Sequence, residues 1–351
     1  MTALNSALEN THVAYLRNLP SPNDLFDEVS IETQVQSQIV EFRRTIGNIL
    51  SGADKRLMVI VGPCSISEPK SALEYANRLK VLSDSLSDRL FIVMRVYFQK
   101  PRTIRGWKGF VYDPDLDGSH DIVRGLKLSR RLMADIANLG LAIGTEFLDS
   151  IVPQYLSDLV TWTSIGARTS ESQIHRELAS GLSMPVGFKN NTSGNIDVAV
   201  HAAVAGMGSH VFLGIDKAGV PSVVKTTGNP DCHLILRGGN QSNYDTESVK
   251  SAVKLMAEYK IEKSLIIDCS HGNSNKDCKQ QVGVANAVMG IRKQIPGAVG
   301  GLMLESNLFE GKQSIPEKVS DLKYGVSITD ECLGWEDSEK CLRHLYDLAG
   351  G

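Results

Sequence analysis

The stretch VFLGIDKAGVPSVVK, residues 211–225, decides how the chain folds. Residues 211–215 and 222–225 are short apolar runs, and the turn between them holds Gly219 and Pro221. Two such runs across a short glycine-containing turn read as a β-hairpin. The hairpin matters because of a count. Other strand-like apolar runs fall at 57–61, 91–96, 141–147, 163–167, 185–188, 233–236, 264–267 and 298–304. With 211–215 they make nine, one more than a (β/α)8 barrel needs. If 211–225 is a hairpin inserted into one connection, eight remain.

Helical patterns lie between most of these runs, at 72–86, 122–139, 196–205, 246–259 and 279–295. Strands alternating with helices imply parallel strands. The expectation is therefore an α/β (β/α)8 TIM barrel over 53–351, with an inserted hairpin at about 210–226; a doubly wound sheet is the alternative. Residues 1–52 form an N-terminal extension. Residues 1–30 are polar and broken by Pro20 and Pro22, which reads as an arm outside the core. Ile31, Val35, Ile39, Phe42, Ile46 and Ile49 then recur at three- and four-residue steps, an amphipathic helix. Its apolar face fits either the barrel or a second subunit, and on the latter reading suggests a homodimer or homotetramer.

Composition narrows the function. The 351 residues are 42% hydrophobic and 22% charged, as in a soluble enzyme or binding protein. No apolar run approaches the ~18 residues of a membrane span, and the first ten residues lack a signal-peptide pattern. Six cysteines without a CxxC pair fit reduced thiols in a cytoplasm. A net charge of −3 gives no global case for nucleic acid.

Barrel active sites form at the carboxyl ends of the strands. Just past the successive runs stand Cys64; Arg95, Lys100 and Arg102; Glu146; Arg168; Lys189; Arg237; Asp268 and His271; and Glu305, with Asp330 in the segment beyond. Six cations around one mouth repel each other and persist there only with an anionic partner. Arginine forks match phosphate and carboxylate oxygens, and lysine adds a compact charge. Cys64, His271, Glu305 and Asp330 make a mixed ligand set for a divalent ion such as Mn2+, Fe2+, Co2+ or Zn2+. On an open site such an ion polarises a carbonyl. Each residue alone has a blander reading: an inert buried thiol, a core or capping histidine, a surface charge, a helix start at Glu305-Ser-Asn. The coincidence at nearly every strand end lifts the set.

The motifs GPCS at 62–65, MRVYFQKPRT at 94–103, GWKG at 106–109, IGARTSESQIHRELASGLSMPVGFKN at 165–190, HLILRGG at 233–239, DCSHGNSNK at 268–276 and SITDECLGWED at 327–337 resemble the 3-deoxy-D-arabino-heptulosonate-7-phosphate (DAHP) synthases of the feedback-regulated type. The resemblance runs from about residue 35 to the end. It implies condensation of phosphoenolpyruvate with erythrose 4-phosphate at the entry to the shikimate pathway. It further implies that Cys64, His271, Glu305 and Asp330 hold one metal ion, Mn2+ first among the four. Arg95, Lys100, Arg168, Lys189 and Arg237 would contact phosphoenolpyruvate, and Arg102 and Thr103 the phosphate of the sugar. Lys100, His271 and Glu146 are the candidates for proton transfer. The loop departs from the family at Ile104-Arg105, where two small or apolar residues are common.

The resemblance also implies feedback inhibition by an aromatic amino acid, at a site away from the catalytic mouth. The matching positions are Ser150, Pro153, Gln154, Leu178, Leu182, Ser183, Phe212, Gly214 and Val224. Glycine at 214 accompanies tyrosine sensitivity and serine phenylalanine sensitivity, so tyrosine is the expected inhibitor. The alternatives are 3-deoxy-D-manno-octulosonate-8-phosphate synthase, which has a different motif at KPRT; a class II aldolase, which needs several histidine ligands; and a non-catalytic metabolite sensor on the same barrel.

Overall fold

The computed structural model describes residues 8–350. Eight parallel strands close into a barrel in the order β1-β10-β9-β8-β5-β4-β3-β2. They are β1 Leu57–Gly62, β2 Leu90–Arg95, β3 Ala142–Glu146, β4 Trp162–Ile165, β5 Val186–Lys189, β8 Cys232–Leu236, β9 Leu265–Asp268 and β10 Val299–Glu305. The two remaining strands, β6 Val211–Ile215 and β7 Pro221–Lys225, form a separate antiparallel pair. Residues 211–225 are thus the insertion expected from the count. Phe212 pairs with Val224 and Gly214 with Ser222, which puts these four on one face.

The barrel strands are buried throughout, because helices cover the outside and side chains fill the inside. That double burial explains the continuous apolar runs in the sequence. One cluster fills the interior, with Met58, Ile60, Val93, Trp162, Ile266 and Met303 among its members. Ile46, Ile49 and Leu50 of the helix Thr33–Leu50 belong to the same cluster. The Ser264 amide, just before β9, donates to Leu50 O at 2.7 Å, which seats that helix end at the amino-terminal mouth. The helix therefore lays its apolar stripe on this barrel, the first of the two placements that the sequence left open.

The arm needs correction. Residues 8–19 are exposed, but Pro22–Glu28 is a helix with a capping box between Ser21 and Asp24. Leu25 is fully buried and Val29 nearly so, both in the main core. The prolines misled: Pro22 occupies the first helical turn, where its missing N–H costs nothing. Among the described residues no helix is long and apolar enough to cross a membrane.

Candidate active site

Five of the eight strands end on a charged residue: Arg95, Glu146, Lys189, Asp268 and Glu305. Side chains alternate along a strand, and these five follow the inward Val93, Gly144, Gly187, Ile266 and Met303 by two residues. They form the top layer of the barrel interior, directly above the apolar cluster.

Arg95 is 1% exposed and its Nη2 donates to Glu305 Oε1 at 3.0 Å. Its guanidinium lies over the Tyr97 ring, 4.1 Å from the centroid. Its Nη1 is buried and, among the described residues, has no hydrogen-bond partner. Lys189 Nζ stands 3.4 Å from Glu146 Oε2 and 3.7 Å from Asp268 Oδ2. Burial works against its charge, but Glu146, then Tyr97 and Asp268, outweigh it and raise the lysine pKa. Glu146 is held by close packing: a Cβ at Gly166 would lie 2.6 Å from its Oε1. A side chain there would displace the Glu146 carboxylate.

Beside this layer Cys64, Glu305 and Asp330 bring one donor atom each within 4.8 Å of one another. Cys64 arrives by way of Gly62, whose φ of +151° lets β1 turn against the Arg95 backbone, 3.0 Å from where a Cβ would stand. Burial, and then the Glu305 carboxylate, push the Cys64 thiol up to about 11. Lys100 Nζ sits in the cluster, 2.8 Å from Cys64 Sγ and 3.0 Å from Asp330 Oδ2. Burial opposes ionisation of Asp330, yet Lys100 holds its carboxyl well below the usual range. The donor set fits a divalent cation: one sulfur and two carboxylates converge, and they already gather positive charge. His271 stands one step aside, its Nε2 3.8 Å from Glu305 Oε1.

A cavity of about 430 Å³ opens above these groups. Arg95, Lys100, Arg102, Thr103, Glu146, Arg168, Lys189, Arg237, His271, Glu305 and Asp330 all line it. Every substrate and proton-transfer residue singled out from the sequence is therefore at one cavity. Arg168 stands exposed at its edge, and Lys276, which was not anticipated, joins the wall.

Two further residues were given no role in the sequence reading. Asp268 is fully buried, its Oδ2 2.9 Å from His271 Nδ1 and its Oδ1 accepting from Ser270. Its burial would raise its pKa, but His271 and Lys189 hold the carboxyl well below the usual range. Tyr97 lies under both Arg95 and Lys189. Asp268 was legible as a strand end, but the sequence does not show that it stands beside both His271 and Lys189.

The expected regulatory positions lie elsewhere. Pro153 and Gln154 are in the short helix Val152–Leu156, with Ser150 before it. Leu178 is on the helix Gln173–Gly181, and Leu182 and Ser183 follow it. Phe212, Gly214 and Val224 share the hairpin face described above. Hydrogen bonds tie these segments together: Lys217 Nζ to Gln154 O at 2.6 Å, and Ser180 Oγ with Thr226 Oγ1 at 2.7 Å.

The DAHP synthetase I family profile matches residues 28–343. The chain is 48% identical over 345 residues to the "Phospho-2-dehydro-3-deoxyheptonate aldolase, Tyr-sensitive" of Escherichia coli, spanning 98% of this chain and 97% of that one. It is also 48% identical to the Trp-sensitive protein of Enterobacter agglomerans, over 96% and 97% of the two chains. Among solved structures, the phospho-2-dehydro-3-deoxyheptonate aldolase from Francisella tularensis superposes with a TM-score of 0.94 at 43% identity, covering 97% of this chain and 99% of that one. With the barrel and the strand-end cluster in place, these matches show that the chain belongs to the DAHP synthetase I family.

Proposed function

We propose that the chain joins phosphoenolpyruvate to D-erythrose 4-phosphate and water, giving 3-deoxy-D-arabino-heptulosonate 7-phosphate and phosphate, the first step of the shikimate pathway. The observation that carries the reading is Arg95. Its Nη2 is taken by Glu305 and its Nη1 is buried without a partner on the cavity wall. A buried donor is costly unless a ligand completes it. A compact anion meets that need, and Arg168, Lys189 and Arg237 supply charge for the carboxylate and phosphate of phosphoenolpyruvate.

Cys64, Glu305 and Asp330, with His271 alongside, would hold one divalent ion, Mn2+ first among Mn2+, Fe2+, Co2+ and Zn2+. When bound it polarises the aldehyde oxygen of the sugar phosphate. The chain's own residues do the rest. The cations hold two anionic substrates side by side, which would otherwise repel. C3 of phosphoenolpyruvate bonds to the aldehyde carbon, and Lys100, among the metal donors, gives the aldehyde oxygen its proton. Water bonds to C2 while Glu146, beside Lys189, takes a proton from it. The bond between C2 and the ester oxygen then breaks as the new C2 hydroxyl gives its proton to the departing phosphate, which leaves a ketone at C2 and releases inorganic phosphate. Arg102 and Thr103 bind the sugar phosphate at the outer end of the cavity.

Tyrosine is the effector we assign, bound on the hairpin face that carries Phe212, Gly214 and Val224. Overall identity is equal to a Tyr-sensitive and a Trp-sensitive relative, so the choice rests on Gly214, whose missing side chain leaves room for a phenolic hydroxyl.

The test is consumption of phosphoenolpyruvate by purified protein with erythrose 4-phosphate and Mn2+, repeated with arabinose 5-phosphate. Loss that requires both the four-carbon sugar and metal supports the reading. Turnover with arabinose 5-phosphate instead would sink it.

A further inference from the structure

Outside the catalytic cavity lies a second one of about 560 Å³, which shares Lys100, Arg102 and Ile104 with the first. Arg105, Lys108, Tyr112 and His120 form much of its wall, and among the described residues no carboxylate lines it. Nor, among those residues, does any carboxylate come within 4.0 Å of Arg102, Arg105 or Lys108. This is unlike their surroundings, where Arg124 pairs with Asp115 at 3.0 Å and Lys127 with Glu28 at 2.7 Å.

The cations are held in place from below. The Lys100 amide donates to Lys108 O at 2.9 Å and closes the loop between them, while Trp107 Nε1 donates to Asp113 O at 2.9 Å. Gly106, with φ of +157°, lets the Arg102 guanidinium pack on the backbone; a Cβ there would come within 2.8 Å of it. The Lys108 ammonium rests over the Tyr112 ring, 4.9 Å from its centroid. Arg105 is left exposed on this loop. Unpaired like charges around one opening attract anions from solution in a chain whose net charge is −3.

The anion can be assigned by position. Arg95, Lys189 and Arg237 belong to the inner cavity and face phosphoenolpyruvate. The aldehyde of the second substrate has to reach the donors beside Lys100, so its phosphate, at the other end of the molecule, points outward past Arg102 and Thr103. The outer cavity begins there. We propose that Arg105, with Lys108 and His120 around it, forms an outer docking site that captures the phosphate dianion of the sugar phosphate and passes it to Arg102 and Thr103. The proposal rests on the function proposed above.

It is tested on the full-length, Mn2+-loaded enzyme by varying erythrose 4-phosphate at saturating phosphoenolpyruvate, from low to high salt, for wild type, R105Q and R105K. Arg105 is exposed, so both variants retain the fold, which circular dichroism checks. In R105Q the KM for erythrose 4-phosphate rises about 3- to 10-fold and the salt dependence of kcat/KM flattens. The kcat, and the KM for phosphoenolpyruvate, shift by less than about twofold. R105K, which keeps the charge, stays near wild type. A wild-type KM and salt slope in R105Q would overturn the proposal. So would an equal rise in both KM values, or R105K as damaged as R105Q, which marks packing instead of charge. Wild-type protein that does not consume erythrose 4-phosphate at all overturns the function beneath it, a result separate from any difference between variants.

Discussion

The Lys100 ammonium lies 2.8 Å from Cys64 Sγ and 3.0 Å from Asp330 Oδ2, a single charge held by groups that could hold two. The Cys64 thiol is pushed up to about 11 by burial and by Glu305, so it becomes a good ligand only when a stronger cation displaces its proton. Chelation should therefore abolish turnover, and Mn2+ should restore it. C64A should bind Mn2+ at least about 10-fold more weakly and lose about 100-fold or more in kcat. Metal content and phosphoenolpyruvate consumption, measured on the same samples, check both. Full activity in metal-free protein would refute the assignment.

In the function proposed above, Arg95 serves the fold and the substrate through different nitrogens. R95M leaves Glu305, 3% exposed at its side chain, as an unpaired buried charge, and should cost about 3–5 kcal/mol of stability. R95K keeps a positive charge for Glu305 but lacks the second donor that Nη1 provides. It should therefore melt near wild type while the KM for phosphoenolpyruvate rises about 10- to 100-fold. Thermal melts and substrate titration separate the two effects.

Asp268 joins the proposed metal donors to the proposed phosphoenolpyruvate cations, 2.9 Å from His271 Nδ1 and 3.7 Å from Lys189 Nζ. Ser270 Oγ, which donates to Asp268, lies 2.8 Å from His271 Nδ1, and this oxygen and the carboxylate together favour the tautomer protonated there, which leaves Nε2 free to bind metal. D268N should weaken Mn2+ binding about 10- to 100-fold. It should also raise the KM for phosphoenolpyruvate, because Lys189 loses a counter-charge. Manganese titration followed by electron paramagnetic resonance reads the first effect without turnover. Unaltered Mn2+ affinity would restrict Asp268 to a structural part.

How much of this was legible follows from what each residue answers to. The barrel could be read because its strands, buried on both faces, are nearly unbroken apolar runs, and because Gly219 and Pro221 marked the ninth run as half of a hairpin. The gathering of these cations and donor groups at one mouth could be read because strand ends are fixed points in a barrel. The arm could not, since Leu25 follows two prolines in a mostly polar stretch and its burial depends on partners far along the chain. Asp268 was hidden for a related reason. Its role is set by distances to His271 and Lys189, one close in sequence and one on another strand. The outer cations were hidden too, because any exposed Arg or Lys looks the same in sequence until the structure shows that no carboxylate answers it.

A pH effect follows from the barrel interior. His233 is fully buried, accepting from Trp162 Nε1 at 3.1 Å through Nε2, with Nδ1 3.0 Å from Asp231 O. Burial pushes its pKa down to about 4. The unfolded chain binds this proton below about 6.5 and the folded protein only near 4. Between those values the unfolded state holds more protons, so stability falls as the pH falls through the window. The loss from this group approaches about 3 kcal/mol at its lower end. In H233Q, which cannot titrate, the slope of unfolding free energy between pH 6.5 and 4 should be shallower than in wild type. Parallel slopes in urea melts would remove His233 as a cause.

Gly214 tests the regulatory assignment through space alone. A Cβ there would stand 2.8 Å from Val224 Cγ2, its diagonal neighbour on the same face of the hairpin. Val224 is β-branched and stiff, so G214S has to push it aside or lose the room that the glycine provides. Wild-type enzyme should be inhibited by tyrosine at lower concentration than by phenylalanine. In G214S the tyrosine concentration for half-inhibition should rise about 10-fold or more, with phenylalanine affected less, since it has no hydroxyl to place. Adding Val224→Ala to G214S restores space on the same face and should recover part of the tyrosine response. That recovery separates a steric cause from a general disturbance of the hairpin, because a disturbed hairpin would respond still less after a second substitution. Strong inhibition of the wild type by phenylalanine, with none by tyrosine, would reverse the assignment whatever the variants do.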